Sequence, residues 1–350
     1  MINLMNDYNS TAHPKVIEAI AAAEDRRYIG YGLDEETVSA VGMLRRLVGK
    51  PDADIHFLAG GTLTNLCALG AFLRPHEAVV SPASAHINVH ETGAIEAVGH
   101  KILACRAKDG KADAAGVEAV IKEHSNEHMV KPKLLLVSQT TELGTVYTSS
   151  ELSALREVCD EYGLYLYIDG ARLGCAMESC ACDMTLEDIA ALADAFYIGG
   201  TKNGLLFGEA LVICNPLLAA DFRFIMKQHG GLLAKGFLAG IQFRAIFEDG
   251  LYFSLARRSN GMAARLSQGL REAGVGLMSE TVSNQVFLYV GESALRRLNE
   301  RVLFEVWSPA EEKGTPIRFV TSWQTTEEEI EAVLKCVGSP GQPGQSGQSS

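Results

Sequence analysis

Tyr165-Leu166-Tyr167-Ile168-Asp169-Gly170 sets an acid at the end of a short apolar run, and Phe196-Tyr197-Ile198-Gly199-Gly200-Thr201-Lys202-Asn203-Gly204 sets a lysine just past the end of another. Both runs are continuous rather than alternating, as expected of strands covered on both faces. The pattern recurs between about residues 50 and 215, where Ile55–Ala59, Ala78–Ser81, Ile102–Arg106, Lys133–Ser138, Leu164–Ile168, Ala195–Ile198 and Ala210–Cys214 read as strands. Helices separate several of them. Thr148-Ser149-Ser150-Glu151 is a capping box for a helix running through Tyr162, and Gly163 can end it. Asp34, followed by Glu35 and Glu36, caps an earlier helix and sets acid at its positive end. Alternating strands and helices imply an α/β domain with a largely parallel, seven-stranded sheet.

Beyond Gln242 the pattern changes. A helical stretch at Phe253–Ala273 leads to a strand at Gln285–Val290, a helix near Ser293–Glu300, a strand at Pro316–Val320 and a helix at Glu327–Val337. Thr325-Thr326-Glu327-Glu328 reads as the capping box of that last helix. The expected division is a large α/β domain with an N-terminal arm over 1–240, a smaller α+β domain over 241–337, and a disordered tail over 338–350 without large apolar side chains.

The chain has 350 residues, 47% of them hydrophobic, enough for a sizeable core. Its formal net charge of -12 and the lack of a Lys/Arg cluster argue against a nucleic-acid partner. No apolar run reaches the ~18 residues of a membrane helix. The first residues have neither a basic nor an apolar segment of a signal, so a cytoplasmic protein is expected. Eight scattered cysteines fit reduced thiols. Cys175, Cys180 and Cys182 lack a second ligand pair, and no metal is expected.

Asp169 and Lys202 carry the chemistry. Ligands of open α/β sheets bind outside the carboxyl ends of the strands, so both residues can face one site. An acid and an amine there suit pyridoxal phosphate. The lysine bonds to the cofactor aldehyde, and burial lowers its pKa toward a nucleophilic neutral amine. The aspartate pairs with the pyridine nitrogen and keeps the ring an electron sink. Leu58-Ala59-Gly60-Gly61-Thr62-Leu63-Thr64-Asn65 follows a strand and opens a helix, so Gly61 and Thr62 can cradle a phosphate, with Thr201 adding a hydroxyl. It is neither a Walker loop nor a GxGxxG turn. His86, after the strand at Ala78–Ser81, can stack on a planar ring or move a proton. Arg172 and Arg318 can hold a substrate carboxylate in a bidentate fork. Arg318 lies in an apolar strand, where an internal ion pair with Asp or Glu is the alternative.

Together these stretches resemble the fold-type I pyridoxal-phosphate enzymes of the threonine aldolase and β-eliminating lyase family, in particular the low-specificity threonine aldolases. The likeness runs over about residues 5 to 335, through Asn6-Asp7, Tyr31-Gly32, Gly61-Thr62, Ala85-His86-Ile87, Thr141-Glu142-Leu143-Gly144, Asp169-Gly170-Ala171-Arg172-Leu173, Gly200-Thr201-Lys202-Asn203-Gly204 and Arg318-Phe319-Val320-Thr321-Ser322-Trp323. It implies a fold-type I architecture and retro-aldol cleavage of a β-hydroxy-α-amino acid, with His86 or Glu142 as base. Lys202, Asp169 and His86 would hold the cofactor, Gly61 and Thr62 its phosphate, and Arg172, Arg318 and Asn6 the substrate. Lys235 would reach the phosphate from a neighbouring subunit of a homo-oligomer, a dimer or tetramer. Two departures stand out: Asn6-Asp7-Tyr8-Asn9 replaces the Arg-Ser-Asp-Thr of many members, and Gln139-Thr140-Thr141-Glu142 lacks their second histidine. A β-eliminating lyase or an aminotransferase would use the same lysine and aspartate, and a silent binding protein is the non-enzyme alternative.

Overall fold

The computed structural model describes residues 1–338. Its centre is a seven-stranded sheet built from β1 (Asp54–Leu58), β2 (Glu77–Pro82), β3 (Ile102–Cys105), β4 (Lys131–Ser138), β5 (Tyr165–Asp169), β6 (Ala195–Gly199) and β7 (Glu209–Ile213). The order across the sheet is β1-β7-β6-β5-β4-β2-β3, and only β7 pairs antiparallel with its neighbours. All seven strands coincide with the apolar runs of the sequence to within two residues at either end. Their continuity has a direct cause. Leu166 and Ile168 of β5 enter one core layer while Tyr167 enters the layer on the opposite face, and Phe196 and Tyr197 of β6 divide in the same way. At these positions of β5 and β6 neither face meets water, so neither is polar.

The expected caps form. Asp34 accepts from the Thr37 N–H at 2.8 Å, and Thr148 and Glu151 close a capping box on the helix Ser149–Tyr162, which ends at Gly163 with φ of 69°. The last helix, Glu327–Gly338, differs by one position. Its box pairs Thr326 with Glu329, because the Thr325 hydroxyl already accepts from the Ser322 N–H at 2.9 Å. Gly338, expected in the tail, belongs to this helix, and positions 339–350 of that expected tail lie outside the described residues.

A second layer of structure follows the sheet. β8 (Gln285–Val290), β9 (Glu305–Val306) and β10 (Thr315–Val320) form an antiparallel sheet in the order β8-β10-β9. It shares a core with the later part of the helix Leu251–Glu272 and with the last helix. The early part of that long helix, at Tyr252 and Leu255, packs into the core of the large sheet instead. Leu4 belongs to the smaller core, and Ile2–Asn3 pair with Val302–Leu303. The first residues therefore dock on the C-terminal unit before the chain crosses to the large sheet. No helix among the described residues is long and apolar enough to cross a membrane.

Candidate active site

The carboxyl edge of the large sheet gathers the site. Asp169 ends β5, and Lys202 sits in the turn directly after β6. β7 runs the opposite way, so its first residue, Glu209, pairs with Gly199 at that same edge. The path of the chain around Asp169 allows no side chain at the next position. A Cβ on Gly170 would stand 1.7 Å from the Tyr197 carbonyl oxygen, and the Gly170 carbonyl accepts from the Gly199 N–H at 3.0 Å. Glycine is required there to let β5 and β6 close on each other.

Asp169 is buried and held on both oxygens. Oδ1 accepts from the Tyr197 hydroxyl at 2.5 Å and from the Ala171 N–H at 3.0 Å, and Oδ2 accepts from Asn65 at 3.0 Å. A carboxylate offers about four acceptor sites, so one remains open for a pyridinium N–H. Tyr197 also links Asp169 to the glycine turn, since a Cβ on Gly61 would lie 3.0 Å from its hydroxyl. Gly61 opens the helix Gly61–Phe72, and Asn65 lies one turn further along it. That helix N-terminus and the aspartate thus share one framework.

Lys202 lines a cavity of about 400 Å³ with Asn6, Tyr8, His86, Glu142, Arg172, Glu305 and Arg318. Its amine lies 5.9 Å from the centre of the Tyr8 ring. Burial, with the Arg172 charge, pushes its pKa below the ordinary lysine value against the pull of Asp7, Glu142 and Asp169. That favours a neutral amine able to attack an aldehyde. The turn is clamped from beneath. Glu209 accepts from the Gly200 N–H at 2.9 Å, and the Thr201 hydroxyl accepts from the Gly208 N–H at 3.0 Å. Burial raises Glu209 to about 7. The open acceptor on Asp169, the bare Gly61 backbone and the buried amine fit pyridoxal phosphate in charge and in donor type.

His86 starts a single helical turn, and its Nδ1 donates to the Glu91 carboxylate at 2.8 Å. Burial opposes its charge, but Glu91, Glu142 and Asp169 together raise its pKa above the usual value. Arg172 is buried, and its Nε and Nη2 donate to the two oxygens of Asp7 at 2.7 and 3.0 Å. Arg318 donates Nη1 to Gln285 at 2.9 Å and Nη2 to Glu305, stacks 5.1 Å from the Trp307 ring centre, and leaves its buried Nε without a partner among the described residues. Arg318 therefore has the internal acid foreseen as its alternative, and it also lines the cavity.

Lys202, His86, Arg172, Arg318 and Asn6 meet at one cavity, while Gly61, Thr62 and Thr201 lie on the elements around it rather than on its lining. Lys235 does not join them within one chain: it is exposed on the turn before the helix Phe237–Phe247. Sequence reasoning gave no role to Asp7, Asn65, Glu91, Glu209, Gln285 or Glu305. Asn65 and Asp7 sit inside the quoted motifs, and Glu91 follows His86 by five positions, which is the available signal.

Comparison with known proteins agrees with this geometry. The β-eliminating lyase family model matches residues 3–293. A low specificity L-threonine aldolase of Pseudomonas sp. (strain NCIMB 10558) is 32% identical over 93% of this chain and 94% of its own length. A threonine aldolase structure from Leishmania major aligns with a TM-score of 0.94 at 43% identity, covering 96% of this chain and 98% of that one. Aspartate aminotransferase of Thermus thermophilus, at 16% identity and a TM-score of 0.70 over 96% of this chain and 90% of its own, shares the fold alone. The chain belongs to the β-eliminating lyase family of pyridoxal-phosphate-dependent enzymes.

Proposed function

We propose that this enzyme cleaves β-hydroxy-α-amino acids, L-threonine and L-allo-threonine among them, to glycine and an aldehyde. The observation that carries the reading is the meeting of Lys202 with Arg172 and Arg318 in one cavity, with Asp169 near enough to act on the charge of Lys202. The threonine aldolases among its relatives support the same choice of substrate.

Lys202 would hold pyridoxal phosphate, Asp169 would pair with its pyridine nitrogen, and His86 would stack on its ring. Gly61 and Thr62 take the phosphate at the helix N-terminus, with Thr201 beside them. Lys235 reaches it from a neighbouring subunit of a homo-oligomer. When bound there, the cofactor supplies an electron sink for the charge left on the substrate α-carbon. Arg172, Arg318 and Asn6 hold the substrate carboxylate and so set the direction of the Cα–Cβ bond. His86, directly or through water, accepts the β-hydroxyl proton as that bond breaks and the carbonyl forms; Glu142 is the second candidate. The α-carbon then gains a proton and leaves as glycine. A cytoplasmic role in threonine breakdown and glycine supply goes with this reaction.

Incubation with L-threonine and with L-allo-threonine tests the reading. Equal amounts of glycine and acetaldehyde are expected. Pyruvate with ammonia would make the enzyme an eliminating lyase, and a product that needs an added keto acid would make it an aminotransferase.

A further inference from the structure

Glu91 lies outside the cavity, yet it connects two groups that the proposed reaction uses. Its side chain is fully buried. One oxygen, Oε1, meets His86 Nδ1 at 2.8 Å and accepts from Asn65 Nδ2 at 2.9 Å. The same Asn65 nitrogen donates to Asp169 Oδ2 at 3.0 Å, and the Asn65 oxygen accepts from the Tyr167 hydroxyl at 3.2 Å. The chain of contacts therefore runs from His86 through Glu91 and Asn65 to Asp169. Its other oxygen, Oε2, is buried without a hydrogen bond among the described residues.

A buried carboxylate with an idle oxygen is costly to keep, more so than an unsatisfied neutral polar group. An amide or an apolar side chain would fill the space at lower cost. The carboxylate makes physical sense if its charge is used. An acceptor at Nδ1 fixes a hydrogen on that nitrogen, so the other ring nitrogen, Nε2, is the one left to gain or lose a proton. The same charge favours the doubly protonated ring.

We propose that Glu91 is the positioning residue of the active site: it locks His86 in the Nδ1–H form, leaves Nε2 for proton exchange, and ties the ring through Asn65 to Asp169. It touches neither substrate nor cofactor in this role. Glu91 is not the only charge near His86, and Arg318 and Glu305 also line the cavity that the ring faces. Glu142 and Asp169 add negative charge, His90 stands ring to ring at 5.4 Å, and Lys202 and Arg172 add positive charge across the cavity. Of these, only Glu91 makes a hydrogen bond to the ring among the described residues.

The inference rests on the assignment of His86 to the reaction, but its main test does not. Histidine labelled at the ring carbon reports the titration of His86 by NMR in the full chain, with and without pyridoxal phosphate, and a His86→Asn sample identifies the signal. Glu91→Gln keeps the shape and removes the charge. The His86 midpoint is expected to fall in that variant, in both forms of the protein. Glu91→Asp keeps the charge one methylene further away, and its midpoint is expected between those of wild type and Glu91→Gln. It also carries the test if the glutamine variant does not fold, because a midpoint below wild type is then expected. In the loaded enzyme, kcat with L-threonine should drop on the order of 10- to 100-fold in Glu91→Gln, less than the ~10²–10⁴-fold worth of the whole general base, because the ring remains. The acid limb of its pH profile should move the same way as the NMR midpoint. An unchanged His86 midpoint in Glu91→Gln would overturn the proposal. A lowered midpoint with unchanged kcat would keep the link between Glu91 and His86 and remove His86 from the reaction instead.

Discussion

Arg172 gives two of its guanidinium nitrogens, Nε and Nη2, to the carboxylate of Asp7, a residue 165 positions earlier in the chain. The pair is buried, and Asn284 of β8 donates to the same carboxylate at 2.9 Å. The N-terminal segment, the large sheet and the C-terminal unit therefore converge on one ion pair at the wall of the cavity. Arg172 is thereby held in one orientation, with Nη1 outside the fork.

Breaking this pair should be expensive. Asp7→Ala leaves a buried guanidinium without its partner, a loss of about 3–5 kcal/mol. Urea unfolding measures it. The sign with pH follows from the aspartate. Burial alone would raise its pKa, but Arg172, Lys202 and the hydrogen bonds from Arg172 and Asn284 hold it below the ordinary carboxylate value. Its contribution is present above the unfolded pKa and is lost as pH falls through the folded one. Asp7→Asn should accordingly flatten the acid limb of stability. An acid limb identical to wild type would mean that other carboxylates govern it.

Much of this was legible in the sequence, and the remainder was hidden for a definite reason. The seven strands are built around continuous apolar runs because their central residues are covered on both faces, so composition marks them. Asp169 and Lys202 stand at strand ends, where an α/β sheet binds ligands. Asp7, Glu91 and Glu305 gain their meaning only from partners 165, 5 and 13 positions away, brought to them by tertiary structure. Nothing local separates such acids from solvated ones. The edge strand Glu305–Val306 is two residues long, too short to show alternation. The last capping box was misplaced by one residue because Thr325 and Thr326 are chemically alike, and only the contact to Ser322 selects between them.

Arg318 should be required for rate as well as for binding. Its Nε has no hydrogen-bond partner among the described residues, and Gln285, Glu305 and Trp307 hold its plane. Arg318→Ala is expected to lower kcat/KM by about 100-fold or more through lost positioning. Arg318→Lys should not restore it, because an ammonium cannot reproduce a planar fork. Steady-state kinetics with L-threonine decide the matter, and unchanged constants in the alanine variant would give Arg318 a purely structural role.

Glu209 offers a pH prediction of the opposite sign. Burial raises its pKa from 4.5 to about 7, so the fold prefers its protonated form. A raised folded pKa contributes stability that is present below the unfolded value and lost as pH rises through the folded one. Wild-type stability should thus decline between roughly pH 4.5 and 7 through this group, by an amount of order 1–3 kcal/mol. Glu209→Gln should remove that decline and melt higher than wild type at pH 8. Melting curves at pH 5 and pH 8 test it, and a glutamine variant less stable than wild type at pH 8 would count against it.

Gly170 is predicted to tolerate no side chain. With the Tyr197 carbonyl oxygen 1.7 Å from the would-be Cβ, Gly170→Ala must push β5 and β6 apart. The cost should exceed about 4 kcal/mol, the range of severe core lesions. Soluble yield and urea midpoint report it, and a midpoint near wild type would show that the two strands can shift without loss.

The central claim is that Lys202 carries the cofactor. Reduction of the loaded enzyme with borohydride fixes the cofactor to the lysine that bears it, and peptide mass spectrometry then reads the position. The adduct is expected on Lys202 alone, with Lys202→Ala lacking both the visible absorbance and turnover of L-threonine. An adduct on any other lysine, or full turnover by Lys202→Ala, would contradict the account.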